Sequence, residues 1–223
     1  MVRHLIFDCD GVLVDSEHLS AAAMSEAMAT IGLDVTPEEC MRDLLGRTLA
    51  YSIGYAERRL GGPVPDSFAP EYHRRLYALF RGELRPVDGV ADALDAIDLP
   101  SCVASSGEHE RIRVALEATG LLHRFDGRIF SATEVARGKP APDLFLHAAE
   151  RMGWDPRECA VIEDSPIGVE AGRAAGMAVL GYATATGVEA LAAAGARPFT
   201  SMADLPRLVA RLASRGRRPG SDR

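Results

Sequence analysis

From Val87 onward the sequence switches back and forth between two hydrophobic periods, and this alternation constrains the fold more than any other feature. Apolar residues spaced by three and four predict helices over Val90–Ile97, Glu108–Thr119, Pro142–Met152, Gly168–Ala175 and Val188–Ala194. Between them, short apolar runs predict strands at Ser101–Ala104, near Arg128–Phe130, at Cys159–Ile162 and at Ala178–Gly181, with a final strand–helix unit to follow. Val2–Phe7, apolar on both faces, reads as a buried strand of the same kind. Strands that alternate with helices imply a parallel sheet with right-handed crossovers and helices on both faces. The predicted fold is therefore α/β, a doubly wound parallel sheet with a Rossmann-like core. Ligands of such sheets bind beyond the carboxyl ends of the strands.

Residues 16–83 break the pattern, because nothing in them could extend a sheet. Ser20 to Ile31 has helical spacing. Thr36-Pro37-Glu38-Glu39 is a helix start, with Thr as cap, Pro at the first position and Glu three residues after the cap. Gly61-Gly62-Pro63 interrupts the run, and a further helix is predicted from Asp66 through Phe80. The expected organisation is an α/β core of residues 1–15 and 84–213, an inserted helical cap of residues 16–83, and a flexible polar tail of residues 214–223.

Composition narrows the partners. A net charge of −7 disfavours non-specific nucleic-acid binding, which needs a basic footprint. No apolar run approaches the roughly 18 residues of a membrane span. The start of the chain lacks a basic-then-apolar leader, and Cys9, Cys40, Cys102 and Cys159 show no CxxC spacing, so the expectation is a cytoplasmic protein with reduced thiols. Lys139 is the single lysine among 25 basic residues, and the chain has no Asn and no Gln. Base composition explains a general preference for Arg, which makes the exception informative. Arg is a wide planar fork, whereas Lys is a point charge on a thin stem. A lone Lys suggests a place that a guanidinium does not fit.

The first strand runs into Asp8-Cys9-Asp10-Gly11. Two residues apart on a strand means the same face, so Asp8 and Asp10 point together and Cys9 points away. Gly11 lets the backbone turn. Two carboxylates in one small space need a cation, a shared proton or a function to compensate their repulsion. Acids return at Glu163-Asp164 after the apolar Cys159-Ala160-Val161-Ile162, again at a strand's carboxyl end.

Leu5–Glu17 resembles the first motif, DxDGxxxDS, of the haloacid dehalogenase-like hydrolases. The branch with β-phosphoglucomutase-like and sugar-phosphate phosphatase members is the most similar. Cys102-Val103-Ala104-Ser105-Ser106, Gly138-Lys139-Pro140-Ala141-Pro142-Asp143 and Val161-Ile162-Glu163-Asp164-Ser165 agree with later motifs in order and spacing. One DxD is a weak signal, but four motifs in order are specific. The resemblance implies a Mg²⁺-dependent phosphoric monoester hydrolase. Asp8 is the candidate nucleophile, able to form an aspartyl-phosphate, and the resemblance implies that it also binds the metal. Asp10 is the candidate general acid and base, and the resemblance implies that its backbone carbonyl binds the metal. Asp164 is expected as a direct metal ligand and Glu163 as a ligand directly or through water, in an oxygen-rich pocket suited to Mg²⁺. Ser105 is expected to donate to a phosphate oxygen, with Ser106 beside it in the substrate-binding set, although Ser105 or Ser106 could instead cap the next helix. Lys139 is expected to neutralise the phosphate and the Asp8 charge that repels it.

Asp15-Ser16-Glu17 reads as a hinge into the cap. Gly46-Arg47-Thr48 resembles the family's cap loop over the substrate, with Arg47 either a substrate contact or a solvated helix-end residue. Glu108 and His109 either face the sugar or lie on the helix surface. The expected partner is a small phosphorylated metabolite, and the chain is expected to be a monomer or weak homodimer. A sugar phosphomutase shares the whole core site. Such mutases resemble one another in a cap lysine and a His a few residues past the flap, whereas this cap has no Lys and Ser20 stands near where that His is expected. A dehalogenase would lack an acid at Asp10, and a non-catalytic relative would lack an essential group.

Overall fold

The computed structural model describes residues 1–44, 46–183 and 186–214. Six strands form one sheet: β1 (His4–Phe7), β2 (Ser101–Ser105), β3 (Ile129–Ser131), β4 (Cys159–Glu163), β5 (Ala178–Tyr182) and β6 (Arg197–Phe199). Their order is β3-β2-β1-β4-β5-β6, and every neighbouring pair is parallel. The chain thus runs outward from β1 on one side, then crosses back to β4 and runs outward on the other. The crevice between β1 and β4 is the point where the strand order reverses, where such sheets bind ligands. β1 is apolar throughout because both faces are covered. Leu5 and Phe7 lie in one hydrophobic cluster and Ile6 in the other, all fully buried.

Between β1 and β2 lie α1 (Glu17–Thr30), α2 (Pro37–Leu44), α3 (Leu49–Leu60) and α4 (Phe68–Glu83), with no strand among the described residues. The helix start at Thr36 forms a reciprocal pair of caps: Glu39 N–H donates to Thr36 Oγ1 (3.2 Å) and Thr36 N–H to Glu39 Oε2 (2.9 Å). The helix expected over Asp66–Phe80 runs Phe68–Glu83 instead, and Leu84, buried one turn beyond Phe80, anchors the extra turn whose other residues are exposed. The two chain crossings into and out of the helical insert lie side by side. Asp15 N–H donates to the Arg85 carbonyl, and Val87 N–H to the Leu13 carbonyl, both at 3.0 Å.

The remaining helices, α5 (Val90–Asp95), α6 (His109–Ala118), α7 (Asp143–Met152), α8 (Pro166–Ala174), α9 (Val188–Ala194) and α10 (Leu205–Ser214), cover the sheet. Helix α4 of the insert packs against α6, which brings the insert over the carboxyl end of β2. Ser214, expected in the tail, closes α10. The rest of the expected tail, 215–223, lies outside the described residues. All four cysteines are buried free thiols, as their spacing predicts. No helix among the described residues is long and apolar enough to cross a membrane.

Candidate active site

The carboxyl ends of β1, β2 and β4 meet at one edge. The β1–β4 ladder extends one step past β1, with Asp8 N–H donating to the Ile162 carbonyl (2.9 Å), so Asp8 emerges beside the end of β4. Beyond Asp8 the strand geometry ends. Gly11, at φ +75°, turns the backbone, and the Gly11 and Val14 main chains close a compact loop. Asp8 and Asp10 both line a cavity of about 510 Å³, while Cys9 is buried in the core on the opposite side. The two acids nonetheless meet different cations, because the turn begins between them.

Lys139 Nζ lies 2.8 Å from Asp8 Oδ1 and 2.6 Å from Glu163 Oε1. Its side chain is only 3% exposed, against 11% for Asp8 and 0% for Glu163. The ammonium sits 4.9 Å from the centre of the Phe145 ring. The lone lysine therefore occupies a slot bounded by two carboxylates and an aromatic face. Its own burial would lower its pKa, but Asp8 and Glu163 outweigh that and hold it protonated.

Glu163 is fully committed. Besides Lys139 on Oε1, its Oε2 accepts from Asp164 N–H (2.9 Å), Ser165 N–H (2.8 Å) and Ser165 Oγ (2.9 Å). Ser165 also caps α8 by accepting from Gly168 N–H (3.2 Å). A Cβ at Gly168 would overlap the Glu163 carboxylate, so only glycine fits beneath it. Gly168→Ala is expected to displace Glu163 and lower the unfolding free energy by about 1–3 kcal/mol, the usual cost of overpacking. Thermal unfolding measures this, and an unchanged midpoint removes the close approach.

Asp8, Glu163 and Asp164 each place one carboxylate oxygen within 4.8 Å of the others, and all three residues are buried. Asp164 packs directly over Gly11, where any Cβ would overlap its carboxylate. Burial, then the neighbouring Glu163 and Asp8 charges, pushes the Asp164 carboxyl well up. Burial likewise raises Asp8, against the opposing pull of Lys139. Such a site favours a cation: four buried or half-buried carboxylates (Asp8, Asp10, Glu163, Asp164) face two cations, Lys139 and Arg111. Hard oxygen donors of this kind suit a small divalent ion.

Asp10 is held by groups that the sequence does not single out. Its Oδ1 accepts from Ser16 Oγ and from Arg111 Nη2 (2.9 Å). Burial would raise the Asp10 carboxyl, but the Arg111 guanidinium and the Ser16 hydroxyl prevail and hold it below the usual carboxylate range. Ser16 occupies the cap position of α1, yet its hydroxyl makes no capping bond because Asp10 takes it. Arg111 is one of many arginines in the chain, 101 residues from Asp10, and no local signal marks it.

Ser105 ends β2, is 1% exposed and lines the cavity, with its Oγ accepting from Gly107 N–H (3.2 Å). Neither Ser105 nor Ser106 caps α6, whose cap position is Glu108. Ser106 also lines the cavity. Gly46, Arg47 and Thr48 form the loop between α2 and α3 at the cavity's far wall. Thr48 caps α3 by accepting from Tyr51 N–H (3.3 Å), and the Arg47 guanidinium rests 5.1 Å from the centre of the Tyr51 ring. Arg47 is thus both exposed and cavity-facing. Glu108 lines the cavity opposite His73 of α4 (3.9 Å). His109 does not line it and instead meets Glu134 at 3.1 Å, the surface reading of that residue.

Sequence comparison identifies the arrangement. The haloacid dehalogenase-like hydrolase profile matches residues 2–176. The chain belongs to this family. Among its relatives is the 6-phosphogluconate phosphatase of Escherichia coli K12, 30% identical over 93% of this chain and 94% of that protein. Hexitol phosphatase B of the same organism is 32% identical over 77% of this chain and 79% of its own length. The crystal structure of CbbY from Rhodobacter sphaeroides in complex with phosphate superposes with a TM-score of 0.80 at 26% identity, covering 92% of this chain and 96% of that one. This haloacid dehalogenase-like chain is a phosphoric monoester hydrolase.

Proposed function

We propose that the chain is a Mg²⁺-dependent phosphatase that hydrolyses a sugar phosphate, or a closely related polyol or aldonate phosphate, through an aspartyl-phosphate on Asp8. The observation that carries this reading is the pairing of Asp8 with a buried ammonium 2.8 Å away, inside an acidic cluster open to a cavity of about 510 Å³. The similarity to phosphatases of 6-phosphogluconate and hexitol phosphates supports the substrate class. The helical segment 16–83 serves as the cap that closes this cavity, with residues 1–15 and 84–213 as the catalytic core.

In the first half-reaction an Asp8 oxygen attacks phosphorus, and the bond from phosphorus to the sugar oxygen breaks. Asp10, ionised in the free chain, takes up the proton that a phosphate monoester monoanion brings in and passes it to the departing oxygen. In the second, a water loses a proton to Asp10 and attacks phosphorus. The bond to Asp8 breaks, and inorganic phosphate leaves. Lys139 offsets the charge of both Asp8 and the incoming phosphate, and Ser105 and Ser106 line the place where its oxygens would lie. Asp8, Asp164 and the Asp10 carbonyl are the groups to hold Mg²⁺, which when bound supplies charge neutralisation for the phosphoryl oxygens. Glu163 would act one step back, through water or by orienting Lys139, because its oxygens already accept four hydrogen bonds. Arg47, Gly46 and Thr48 would meet the sugar end from the cap.

A phosphate-release screen over sugar, polyol and aldonate phosphates, with and without Mg²⁺, tests the reading. Release that stops with chelator and returns with Mg²⁺ is expected. Interconversion of hexose phosphates with little free phosphate would support the mutase instead. The metal assignment also has a pH signature. Asp8 and Asp164 have raised carboxyl pKa values, so in the ion-free protein their contribution to stability is present at low pH and is lost as pH rises through them. An ion must displace those protons, so the thermal shift produced by Mg²⁺ is expected to grow between pH 5.5 and pH 8. A shift independent of pH removes these carboxylates as ligands.

A further inference from the structure

Arg111 lies on α6 of the core but reaches into the insert. Its Nη2 donates to Asp10 Oδ1 (2.9 Å) and to Ser20 Oγ of α1 (3.2 Å), and its guanidinium carbon stands 5.9 Å from the centre of the Phe80 ring on α4. Its side chain is 20% exposed. Three elements therefore meet on one guanidinium. Both donors to Asp10, Ser16 Oγ and Arg111 Nη2, bind the same oxygen, Oδ1. Among the described residues Oδ2 receives no donor.

We infer that Arg111 is a positioning residue for the proposed reaction: with Ser16 it clamps Oδ1 of Asp10 and leaves Oδ2 as the single atom that gives and takes the proton. The inference rests on the phosphatase reading above. A carboxylate with two free oxygens rotates, and either oxygen can drift from the leaving group. Pinning one oxygen from two directions fixes the plane of the carboxyl, and misplacement by about an ångström is enough to cost a large factor in rate. The hydrogen bond to Ser20 ties the same guanidinium to α1, so Asp10 is held in register with the insert that covers the substrate.

The two half-reactions provide a test that a merely structural role would not pass. A sugar alkoxide leaves poorly and needs the Asp10 proton, whereas p-nitrophenolate leaves without one. Hydrolysis of the aspartyl-phosphate needs Asp10 as base for either substrate. With the best sugar phosphate from the screen, Arg111→Met is expected to lower kcat by about 100-fold with KM changed less than about threefold, in line with lost proton transfer. With p-nitrophenyl phosphate the same variant is expected to show an initial burst of nitrophenol at near wild-type rate, followed by slow turnover as the phosphoenzyme accumulates. Arg111→Lys, which keeps one donor, is expected to recover about tenfold of the loss.

A rise in KM with kcat preserved would make Arg111 a substrate contact and overturn the inference. So would equal losses in burst and turnover for both substrates, or no loss at all. If Arg111→Met does not fold, Arg111→Lys carries the same test, with a smaller loss in kcat, unchanged KM and a retained burst expected. Wild-type activity that survives Asp8→Asn would sink the phosphatase reading itself. Normal kinetics confined to the Arg111 variants would sink only this inference.

Discussion

Asp8→Asn is expected to abolish phosphate release, with a loss of at least about 10⁴-fold, the scale of removing a nucleophile that forms a covalent intermediate. The fold is expected to survive. Asp8 is one of three buried carboxylates gathered within 4.8 Å, and burial disfavours its charged form. An amide in its place relieves repulsion with Glu163 and Asp164, while Lys139 keeps its 2.6 Å partner in Glu163. The midpoint of thermal unfolding without added metal is therefore expected to stay level or rise. Phosphate release, trapping of a phosphorylated chain and a melting curve check the three parts. Turnover within tenfold of wild type would remove the nucleophile assignment.

The second large effect concerns Lys139. Lys139→Ala removes the single cation between Asp8 and Glu163, the latter completely buried. Breaking a buried ion pair by deleting one partner costs about 3–5 kcal/mol, since the remaining charge is left uncompensated. For a domain of this size each kcal/mol moves the melting midpoint by roughly 2–4 °C, so a fall of about 6 °C or more is expected. Activity is expected to fall at least about 10³-fold, because in the proposed reaction the ammonium offsets charge on both Asp8 and the phosphate. Lys139→Arg keeps the charge yet is expected to fail nearly as badly. Nζ occupies a 3% exposed slot beneath Asp8 and Glu163 and over the Phe145 ring, where a planar guanidinium has no room for its five donors. An Lys139→Arg variant within tenfold of wild-type activity would show that shape is not why this arginine-rich chain retains one lysine.

Much of this site could be read in advance because its residues follow directly from strands. Asp8, Ser105 and Glu163 are each the residue where an apolar run stops being apolar, and three neighbouring parallel strands bring those stops to one edge. Glu163 shows where that reasoning thins. A Glu-Asp pair after an apolar strand could point either residue at a metal. The choice depends on the Ser165 cap, on Gly168 clearing space beneath the carboxylate, and on Lys139 arriving from a distant loop.

Alternation of period and the chemistry of the strand ends were enough to determine the α/β core, the helical stretch after β1 and the acids of the edge, since these depend on neighbours a few residues apart, whereas Lys139 stood out only as the single lysine of the chain. What only the tertiary structure decided was which cation meets which acid. Arg111 reaches Asp10 across 101 residues of chain, Ser16 gives up helix capping to join it, and Ser20 meets the same guanidinium from the insert. Those contacts are set by how α4 lies against α1 and α6, and a helix's rotation and tilt on its neighbour are properties of side-chain packing that local periodicity does not encode.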